Sequence, residues 1–519
     1  MDDRIAIESP SDLTLEVVEA VAYDGRRLAL GANLLAKVDT ARGDMLAALE
    51  GGARVYGVTT GAGYLSTVCL EDRAGPDHQA SMLLGRAVGS APFLPVAEAR
   101  ALLVARLVNF VSGSSGVSGA LCRFLVDRLN DDFTPAVPRR GSGTAGDIIA
   151  LAHALQTVLG VGRVLGRQGA VERADLALAL RGVTPYVPVD KEGIAMLAGA
   201  PGSCALALGR MRAARMLADQ LLTAAACSVA AIAGPHDPYD PAVGALAGDP
   251  LVTSVNDRIR ALLEPSPPER GVTQLPVSFR VIPQAHAYLE RTIARLEEDL
   301  RRALAAVSDS PAFVDGRFVS TGAFHEVGLA AAMDALAIAL CHVAELAGQR
   351  VSRLLDARFT GLANQLTPTP GPSCGLVVVH KRVLGAANEL RRLAAPTLIG
   401  LADSSLGQED AMTFTYEGAE RLRRVEELVR EITACELLTA RQAIWLRDMP
   451  TSGSLTAVVG RLEELVPPIV MDRPFGPDID VLVDMLERGG LHAGTAATGE
   501  PVGAVASTEC AGSSPSTAV

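Results

Sequence analysis

Aromatic residues are scarce in this chain of 519 residues: Phe, Tyr and Trp make up 4% of it, and only one Trp is present. No segment offers about 18 consecutive uncharged apolar residues, the length that a membrane-spanning helix requires. The first four residues, Met-Asp-Asp-Arg, contain no apolar signal core. We therefore predict a cytoplasmic protein without a membrane partner.

Metal-binding and nucleotide-binding motifs are also missing. The eight cysteines are far apart, with no Cys-x-x-Cys pair and no histidine at zinc-ligand spacing, so no metal site is predicted. We expect them to be free, buried thiols in a reducing compartment. Gly61-Ala62-Gly63 lacks the third glycine of a dinucleotide site, and no Gly-Lys-Ser/Thr phosphate loop occurs.

Positive charge is low, since the chain has a net charge of -12 and a pI near 5.3. The basic residues are scattered among acids, which argues against a nucleic-acid partner. Hydrophobic residues, by contrast, make up 49% of the chain. They form long Ala/Leu-rich stretches whose polar residues recur at helical spacing, as at residues 328–353. The composition therefore predicts a mainly α protein.

The periodicity divides the chain into three predicted parts. Residues 1–195 form a smaller, loop-rich N-terminal region, in which short strands and turns lead to Tyr56 and helices dominate 77–130. A helix follows from Asp147 toward Leu159, and strand character appears at 164–172. Residues 196–488 form a bundle of long helices with functional loops at its ends. Residues 489–519, rich in Gly, Ala, Ser and Thr, are predicted to be disordered.

One loop is especially informative: residues 141–153 read Gly-Ser-Gly-Thr-Ala-Gly-Asp-Ile-Ile-Ala-Leu-Ala-His. It resembles the cofactor-forming loop of the aromatic amino acid ammonia-lyases and aminomutases. In that family an Ala-Ser-Gly triad cyclises and its serine loses water, which gives the electrophile methylidene-imidazolone (MIO). Here Thr144, Ala145 and Gly146 stand over the triad. Because Ala145 has no β-hydroxyl to lose, we predict a degenerate triad and no MIO cofactor.

The register of this loop has an alternative, because the loop is one residue shorter than the family pattern. A shifted alignment makes Thr144 the dehydrated residue. Ala145 would then replace the glycine whose backbone nitrogen attacks, a step that the lack of a side chain assists. Considered alone, the segment could also be a Gly-rich helix entry with Asp147 as its cap.

Further motifs match the same family in the same order. Residues 56–63 read Tyr-Gly-Val-Thr-Thr-Gly-Ala-Gly, similar to the family's Tyr-Gly-x-Asn-Thr-Gly-Phe-Gly, and 278–284 read Ser-Phe-Arg-Val-Ile-Pro-Gln, similar to Ser-Leu-Arg-Cys-x-Pro-Gln. Weaker matches stand at 191–193, 308–311, 322–325, 350–356 and 408–410. The resemblance implies a long helical bundle of the ammonia-lyase type that assembles as a homotetramer, with each active site built by loops from three subunits.

The resemblance also implies roles for individual residues. Tyr56 corresponds to the catalytic base that removes a β-proton. Arg280 corresponds to the residue that binds the substrate carboxylate, a task suited to a guanidinium because its fork can pair with both oxygens. Phe324 would line the site, and Glu409 would lie near the amine or the head group of the substrate.

The departures from the family pattern are numerous. Several positions that support MIO or the substrate carboxylate by hydrogen bonding carry other residues, namely Thr59, Ala198, Pro201, Val277, Ala323 and Gly407. An engineered Ser-to-Ala change would have left these supporters in place. Natural divergence is therefore the better explanation of Ala145.

Two cations are candidate substrate-binding residues. Arg86 falls on the pair that selects the substrate ring in this family and would favour a polar or anionic head group, because an unpaired buried guanidinium is costly. Alternatively, Arg86 forms a salt bridge with Glu409 or Asp77. Lys381 could pair with Glu409 at the site, but a lysine that extends to the surface is the preferred interpretation. The histidines at 153, 325 and 380 are interpreted as structural, and His153 is expected to satisfy a buried backbone acceptor.

The missing electrophile shapes the functional hypothesis. MIO improves the amine as a leaving group and assists loss of a weakly acidic β-proton, so without it the substrate must supply this reactivity. A quaternary ammonium departs as a neutral amine, as in ergothionase, a relative that lacks MIO. We predict MIO-independent 1,2-elimination of an amine from a small amino-acid-like or betaine substrate resembling ergothioneine or hercynine. The alternatives are an ordinary MIO-type ammonia-lyase or 2,3-aminomutase, and a non-catalytic or repurposed homologue.

Overall fold

The structure is a computed structural model that describes residues 4–70, 76–166, 169–264, 269–448 and 453–491. The part of the predicted disordered tail beyond Leu491 lies outside these ranges. The described residues form nineteen α-helices: α1 Leu15–Tyr23, α2 Ala32–Glu50, α3 Pro76–Leu84, α4 Val96–Val111, α5 Gly119–Asn130, α6 Ile148–Leu155, α7 Ala174–Leu180, α8 Glu192–Leu197, α9 Pro201–Ile232, α10 Pro241–Ala247, α11 Pro250–Leu263, α12 Val277–Arg280, α13 Ile282–Ala305, α14 Val327–Leu354, α15 Ala357–Thr360, α16 Val377–Leu393, α17 Thr415–Leu446, α18 Ser454–Leu465 and α19 Gly476–Glu487.

Strands are short and peripheral. They pair as one parallel two-stranded ribbon, one antiparallel three-stranded sheet and one antiparallel hairpin. The predicted strand character at 164–172 is confirmed, because two strands of the small sheet occupy this segment. The strands are β1 Arg4–Ile7, β2 Arg27–Leu30, β3 Thr134–Pro135, β4 Arg163–Leu165, β5 Val171–Arg173, β6 Ala312–Val314 and β7 Arg317–Val319.

The centre of the fold is a bundle of α9, α13, α14 and α17. Helix α9 starts with proline at its first position, where the missing N–H costs nothing, and it is apolar around most of its circumference, which suits a helix surrounded by others. Contacts near the starts and ends of the helices show that α9, α14 and α17 run parallel, whereas α13 runs in the opposite direction. The prediction of a mainly α bundle is confirmed.

One hydrophobic cluster extends from Ile7 in β1 to Leu491 near the end of the described chain, and a smaller one packs under the three-stranded sheet. The division of the chain at residue 195 stays a prediction. Two helical stretches, Glu192–Ile232 and Val327–Leu354, are long and apolar enough to cross a membrane, but 94% and 67% of their most apolar windows are buried inside this fold. Packing in the core accounts for their composition.

The prediction that helices dominate 77–130 is confirmed, because α3, α4 and α5 occupy most of this stretch. Two details of the prediction were wrong. The segment before Tyr56 is largely helical, because α2 buries Leu34, Val38, Met45 and Leu49 on one face although Gly43 interrupts its sequence pattern. Among the cysteines, five of the seven in described segments are buried, but Cys69 and Cys374 are exposed.

Candidate active site

The loop of residues 141–147 lies at the end of the bundle where α9 begins. Gly146 has a φ of +76°, and a Cβ at this position would lie 2.8 Å from the carbonyl oxygen of Gly199 and 3.3 Å from Cβ of Phe324. Only glycine fits both the backbone conformation and this space. The close approach supports the alignment in which Gly146 is the glycine of the triad, and it brings Phe324 against the loop.

Asp147 anchors the loop to the bundle. Its N–H donates to the carbonyl oxygen of Gly199 at 3.0 Å, and its carboxylate accepts hydrogen bonds from the Ser203 amide at 2.9 Å and hydroxyl at 2.7 Å. Asp147 therefore caps α9, whereas its side chain makes no capping bond to its own helix α6. Complete burial raises the pKa of Asp147 to about 6.

The backbone of the triad is held by two further hydrogen bonds. The amide of Ala145 donates to Oε2 of Glu409 at 3.4 Å. The hydroxyl of Thr144 donates to the carbonyl oxygen of Gly146 at 2.8 Å. Glu409 thus lies directly against the position where the family carries its dehydrated serine.

Glu409 is held by a strained turn. The hydroxyls of Ser404 and Ser405 lie 3.5 and 3.2 Å from its carboxylate oxygens, and its backbone pairs with that of Ser404. Ser405 and Leu406 have φ angles of 53° and 55°, a left-handed conformation that non-glycine residues adopt at a cost of about 1–3 kcal/mol each. Strain of this kind is typical of functional loops.

Tyr56 joins the same group through the neighbouring loop. The amide of Gly63 donates to the Tyr56 hydroxyl oxygen at 2.6 Å. A Cβ at Gly63 would in turn lie 3.6 Å from the hydroxyl of Ser405, which contacts Glu409. One chain therefore brings together Tyr56, Glu409, Phe324 and the triad.

The helices favour negative charge at this end of the bundle. Helices α6 and α9 begin beside the loop, α14 begins three residues after Phe324, and Tyr416 in the first turn of α17 contacts the start of α9. The N-terminus of a helix carries a partial positive charge. Four converging N-termini suit the carboxylates found here and any anionic group of a substrate.

Arg280 lies far from this group within the chain. It precedes α13, a helix of 24 residues that ends near the loop and is therefore roughly 36 Å long. The hydroxyl of Tyr239 fixes the adjacent backbone by donating to Phe279 O at 2.6 Å. The Nε of Arg280 is buried, and within the described ranges its guanidinium has no hydrogen-bond or ion-pair partner. Sequence reasoning identified Arg280, but one chain does not place it beside Tyr56.

Lys381 is exposed on α16 and does not approach Glu409 in the same chain. Its neighbour Arg382 pairs with Glu431, sixteen residues or roughly 24 Å along α17 from the loop end. The preferred interpretation of Lys381 as a surface lysine agrees with this position.

Arg86 forms neither of the salt bridges considered from the sequence. Its guanidinium donates to the carbonyl oxygen of Met82 at 2.9 Å, at the end of α3. Burial of the His78 ring and, to a smaller extent, the positive charge of Arg86 lower the pKa of His78. Arg86 therefore caps a helix in this chain, and its predicted role toward a substrate head group stays a prediction.

His153 is structural, but the expected polarity of its hydrogen bond was wrong. Its Nε2 accepts from the amide of Gly89 at 2.9 Å instead of donating to a backbone carbonyl. Burial lowers its pKa, which keeps the ring neutral and able to accept this bond.

Several of the positions that depart from the family pattern have local roles here. The carbonyl oxygen of Ala198 accepts a hydrogen bond from the fully buried Arg106, and the hydroxyl oxygen of Thr59 accepts from the Val55 amide at 2.7 Å. Pro201 starts α9.

Glu326 was missed by the sequence analysis. It is half-buried two residues beyond Phe324, at the start of α14, and burial followed by the charges of Asp147 and Asp299 raises its pKa to about 7. An acid directly before a long apolar helix and directly after the Phe324 motif was the available signal.

The fold and this arrangement define a class of helical carbon–nitrogen lyases. A profile of the family described as aromatic amino acid lyase matches residues 13–464. The chain belongs to the aromatic amino acid lyase family. It is 33% identical over 497 residues to histidine ammonia-lyase from Anaeromyxobacter sp. (strain K), an alignment that covers 92% of this chain and 98% of the relative. The resemblance inferred from the motifs is confirmed.

Solved structures support the same assignment. Tyrosine aminomutase from Streptomyces globisporus matches with a TM-score of 0.86 at 26% identity, covering 94% of this chain and 97% of that one. Ergothionase from Treponema denticola, in complex with desmethyl-ergothioneine sulfonic acid, matches with a TM-score of 0.89 at 22% identity, covering 94% and 99%. At 22% identity, the similarity to ergothionase shows a shared fold and nothing more.

Proposed function

We propose that this chain is a lyase that works without MIO and eliminates an amine from an amino-acid-like or betaine substrate, giving an α,β-unsaturated acid. Substrates that resemble ergothioneine or hercynine fit this chemistry. The single observation that carries the proposal is Ala145 at the dehydrating position of an otherwise assembled site.

The residues around the triad do not fit MIO. The methyl side chain of Ala145 contains no oxygen to lose as water. The space at Gly146 admits only glycine, which argues against the shifted register in which Thr144 is dehydrated. No step of the proposed reaction depends on the prosthetic group.

The remaining residues suit elimination from a substrate with a good leaving group. Tyr56 takes the β-proton, and the amide of Gly63 stabilises negative charge on its oxygen. The C–N bond then breaks and the electron pair leaves with the amine. A trimethylammonium group leaves as a neutral amine, so the enzyme need not protonate it. Glu409, fixed against the loop, lies where it can attract the cation.

The proposed active site requires more than one subunit. Arg280 lies roughly a full helix length from Tyr56, and its buried Nε has no partner in the described part of the chain. A homotetramer in which another subunit supplies Arg280 would bring this guanidinium to the substrate carboxylate. We propose this assembly and a cytoplasmic location, with no nucleic-acid or membrane partner.

Turnover of betaines tests the proposal. Purified protein is incubated with ergothioneine and with hercynine, and the absorbance of the conjugated acrylate is followed. We expect product from at least one of them, and Tyr56→Phe should lower the rate by about 10²- to 10⁴-fold, because the general base is lost. Tyr64→Phe is the matched control, since Tyr64 is an exposed tyrosine of the same loop. No product from any betaine would reject this substrate class.

The intact mass separates the alternatives. We expect the mass encoded by the sequence, whereas loss of two waters per chain would overturn the proposal and indicate a MIO-type lyase or aminomutase. Tight betaine binding without turnover, unchanged by Tyr56→Phe, would instead indicate a non-catalytic homologue.

A further inference from the structure

Glu326 differs from the other carboxylates at the loop end because no side chain among the described residues pairs with it. Asp147 accepts two hydrogen bonds from the first turn of α9. Asp299 pairs with Arg295 at 2.8 Å and with Arg302 at 3.0 Å. Within the residues that the structure describes, Glu326 accepts no side-chain hydrogen bond and forms no ion pair.

Among the residues that the structure describes, no cation faces Glu326 from the elements packed around it. Asp147 lies on the side of α6, Cys204 on α9 and Asp299 on α13, and each is neutral or acidic. The guanidinium nearest to Asp147, that of Arg106, is directed to Asn109 and Ala198. The arginines that neutralise Asp299 are already engaged by it.

A second observation indicates that this cluster lacks a polar partner. Tyr416 is only 2% exposed, and its buried hydroxyl has no hydrogen-bond partner in the described structure. It lies beside one acid of this cluster, Asp147, because a Cβ at Gly202 would lie 2.0 Å from this hydroxyl and 3.2 Å from Oδ2 of Asp147. Buried polar groups are normally satisfied.

The position of Glu326 connects the cluster to the proposed site. Phe324, two residues earlier, contacts Gly146 of the triad. Burying an ionised carboxylate without a partner is costly, so the pKa of Glu326 is raised to about 7 and the group titrates near neutral pH. Such costs are typical of groups retained for function.

We propose that Glu326 recognises the cationic amine of the substrate, its carboxylate balancing the charge of an ammonium or trimethylammonium group that binds over the loop. Where the carboxyl group is protonated, its O–H bond breaks, its proton passes to water, and the carboxylate balances the cation. No oxidant or other reactant is needed. This inference rests on the proposed function, because it names the charge of the substrate that the same site accepts.

Tetramethylammonium chloride is the probe, with sodium chloride at equal ionic strength as the reference. Its dissociation constant is measured on the full-length assembly between pH 6 and pH 8. With a carboxyl group that titrates near 7, wild type should bind about tenfold more tightly at pH 8 than at pH 6, because the cation no longer displaces a proton. Proton release on binding, measured in weak buffer at pH 6, should accompany this change.

Glu326→Gln should bind weakly and equally at both pH values, and it should release no proton. Glu487→Gln is the control, because it removes an exposed glutamate at the end of α19, and it should behave like wild type. If Glu326→Gln kept the pH dependence of wild type, or if wild type bound without proton release at pH 6, the inference would be wrong. Because proton release is measured on wild type, a folding defect of the variant does not prevent the test.

The outcome is separable from that of the proposed function. Proton-linked binding of tetramethylammonium without turnover of any betaine would support the role of Glu326 and reject the substrate class. Turnover of betaines by a wild type that binds the probe without proton release would support the substrate class and reject the role of Glu326.

Discussion

Two groups of buried polar side chains in the helical bundle differ in how completely they are paired. Away from the loop, Arg350 and Glu436 form a paired contact at 2.6 and 3.1 Å. Arg350 also donates to the carbonyl oxygen of Ser278, and Glu436 also accepts from the hydroxyl of Ser228. Both side chains are at most 1% exposed. At the loop end, Glu326 and Tyr416 lack such partners in the described structure. Completed polar networks fix the fold, whereas incomplete ones indicate where a ligand can contribute.

The largest expected effect comes from breaking the completed network. Arg350→Met leaves Glu436 buried without its cation and should lower the free energy of unfolding by about 3–5 kcal/mol. Denaturant unfolding followed by circular dichroism measures the change. Arg424→Met, which removes an exposed arginine of α17, should cost about 1 kcal/mol or less. Equal effects of the two changes would mean that the buried pair stabilises the fold no more than an exposed pair does.

A smaller effect should follow from crowding the loop end. Gly146→Ala requires a left-handed conformation at an alanine and brings its Cβ to 2.8 Å from Gly199 O, so it should cost about 1–3 kcal/mol. The midpoint temperature of thermal unfolding and the rate of betaine turnover should both decrease. Gly143→Ala, in the same loop, meets only Phe414 at 3.9 Å and should leave both unchanged. A neutral Gly146→Ala would mean that the loop is held differently.

The smallest effect concerns pH. The pKa of Asp147 is raised to about 6 in the folded state, so the native protein holds a proton that the unfolded chain has released. This contribution to stability is present at low pH and is lost as pH rises from about 4 to 6. Asp147→Asn should therefore change the slope of stability against pH in this window by about 1 kcal/mol per pH unit. A slope identical to that of wild type would show that Asp147 is ionised throughout.

Much of the fold and part of the candidate site could be predicted from the sequence. The periodicity of the apolar residues indicates long helices, and Gly146 is recognisable because a left-handed, crowded position accepts only glycine. Tyr56, Phe324 and Glu409 follow from short motifs whose order along the chain reflects the family. The structure brings all three to the loop at residue 145.

The remaining features depend on contacts between distant segments. Asp147 has the sequence position of a cap for α6, but its carboxylate caps α9, which begins more than fifty residues later. The environment of Glu326 is likewise set by α6, α9 and α13 together. Local pattern carries no information about such pairings, and α2 was missed because its apolar face is interrupted by polar residues.

The length of α13 has a kinetic consequence for the proposed reaction. Arg280 and Tyr56 lie at opposite ends of this helix, so in the proposed homotetramer they would belong to different active sites, and a separated chain would hold no complete site. The turnover rate per chain should then depend on protein concentration, because each dissociation of the assembly separates the residues of several active sites at once. A chain that stays folded on dilution would nevertheless lose its catalytic activity.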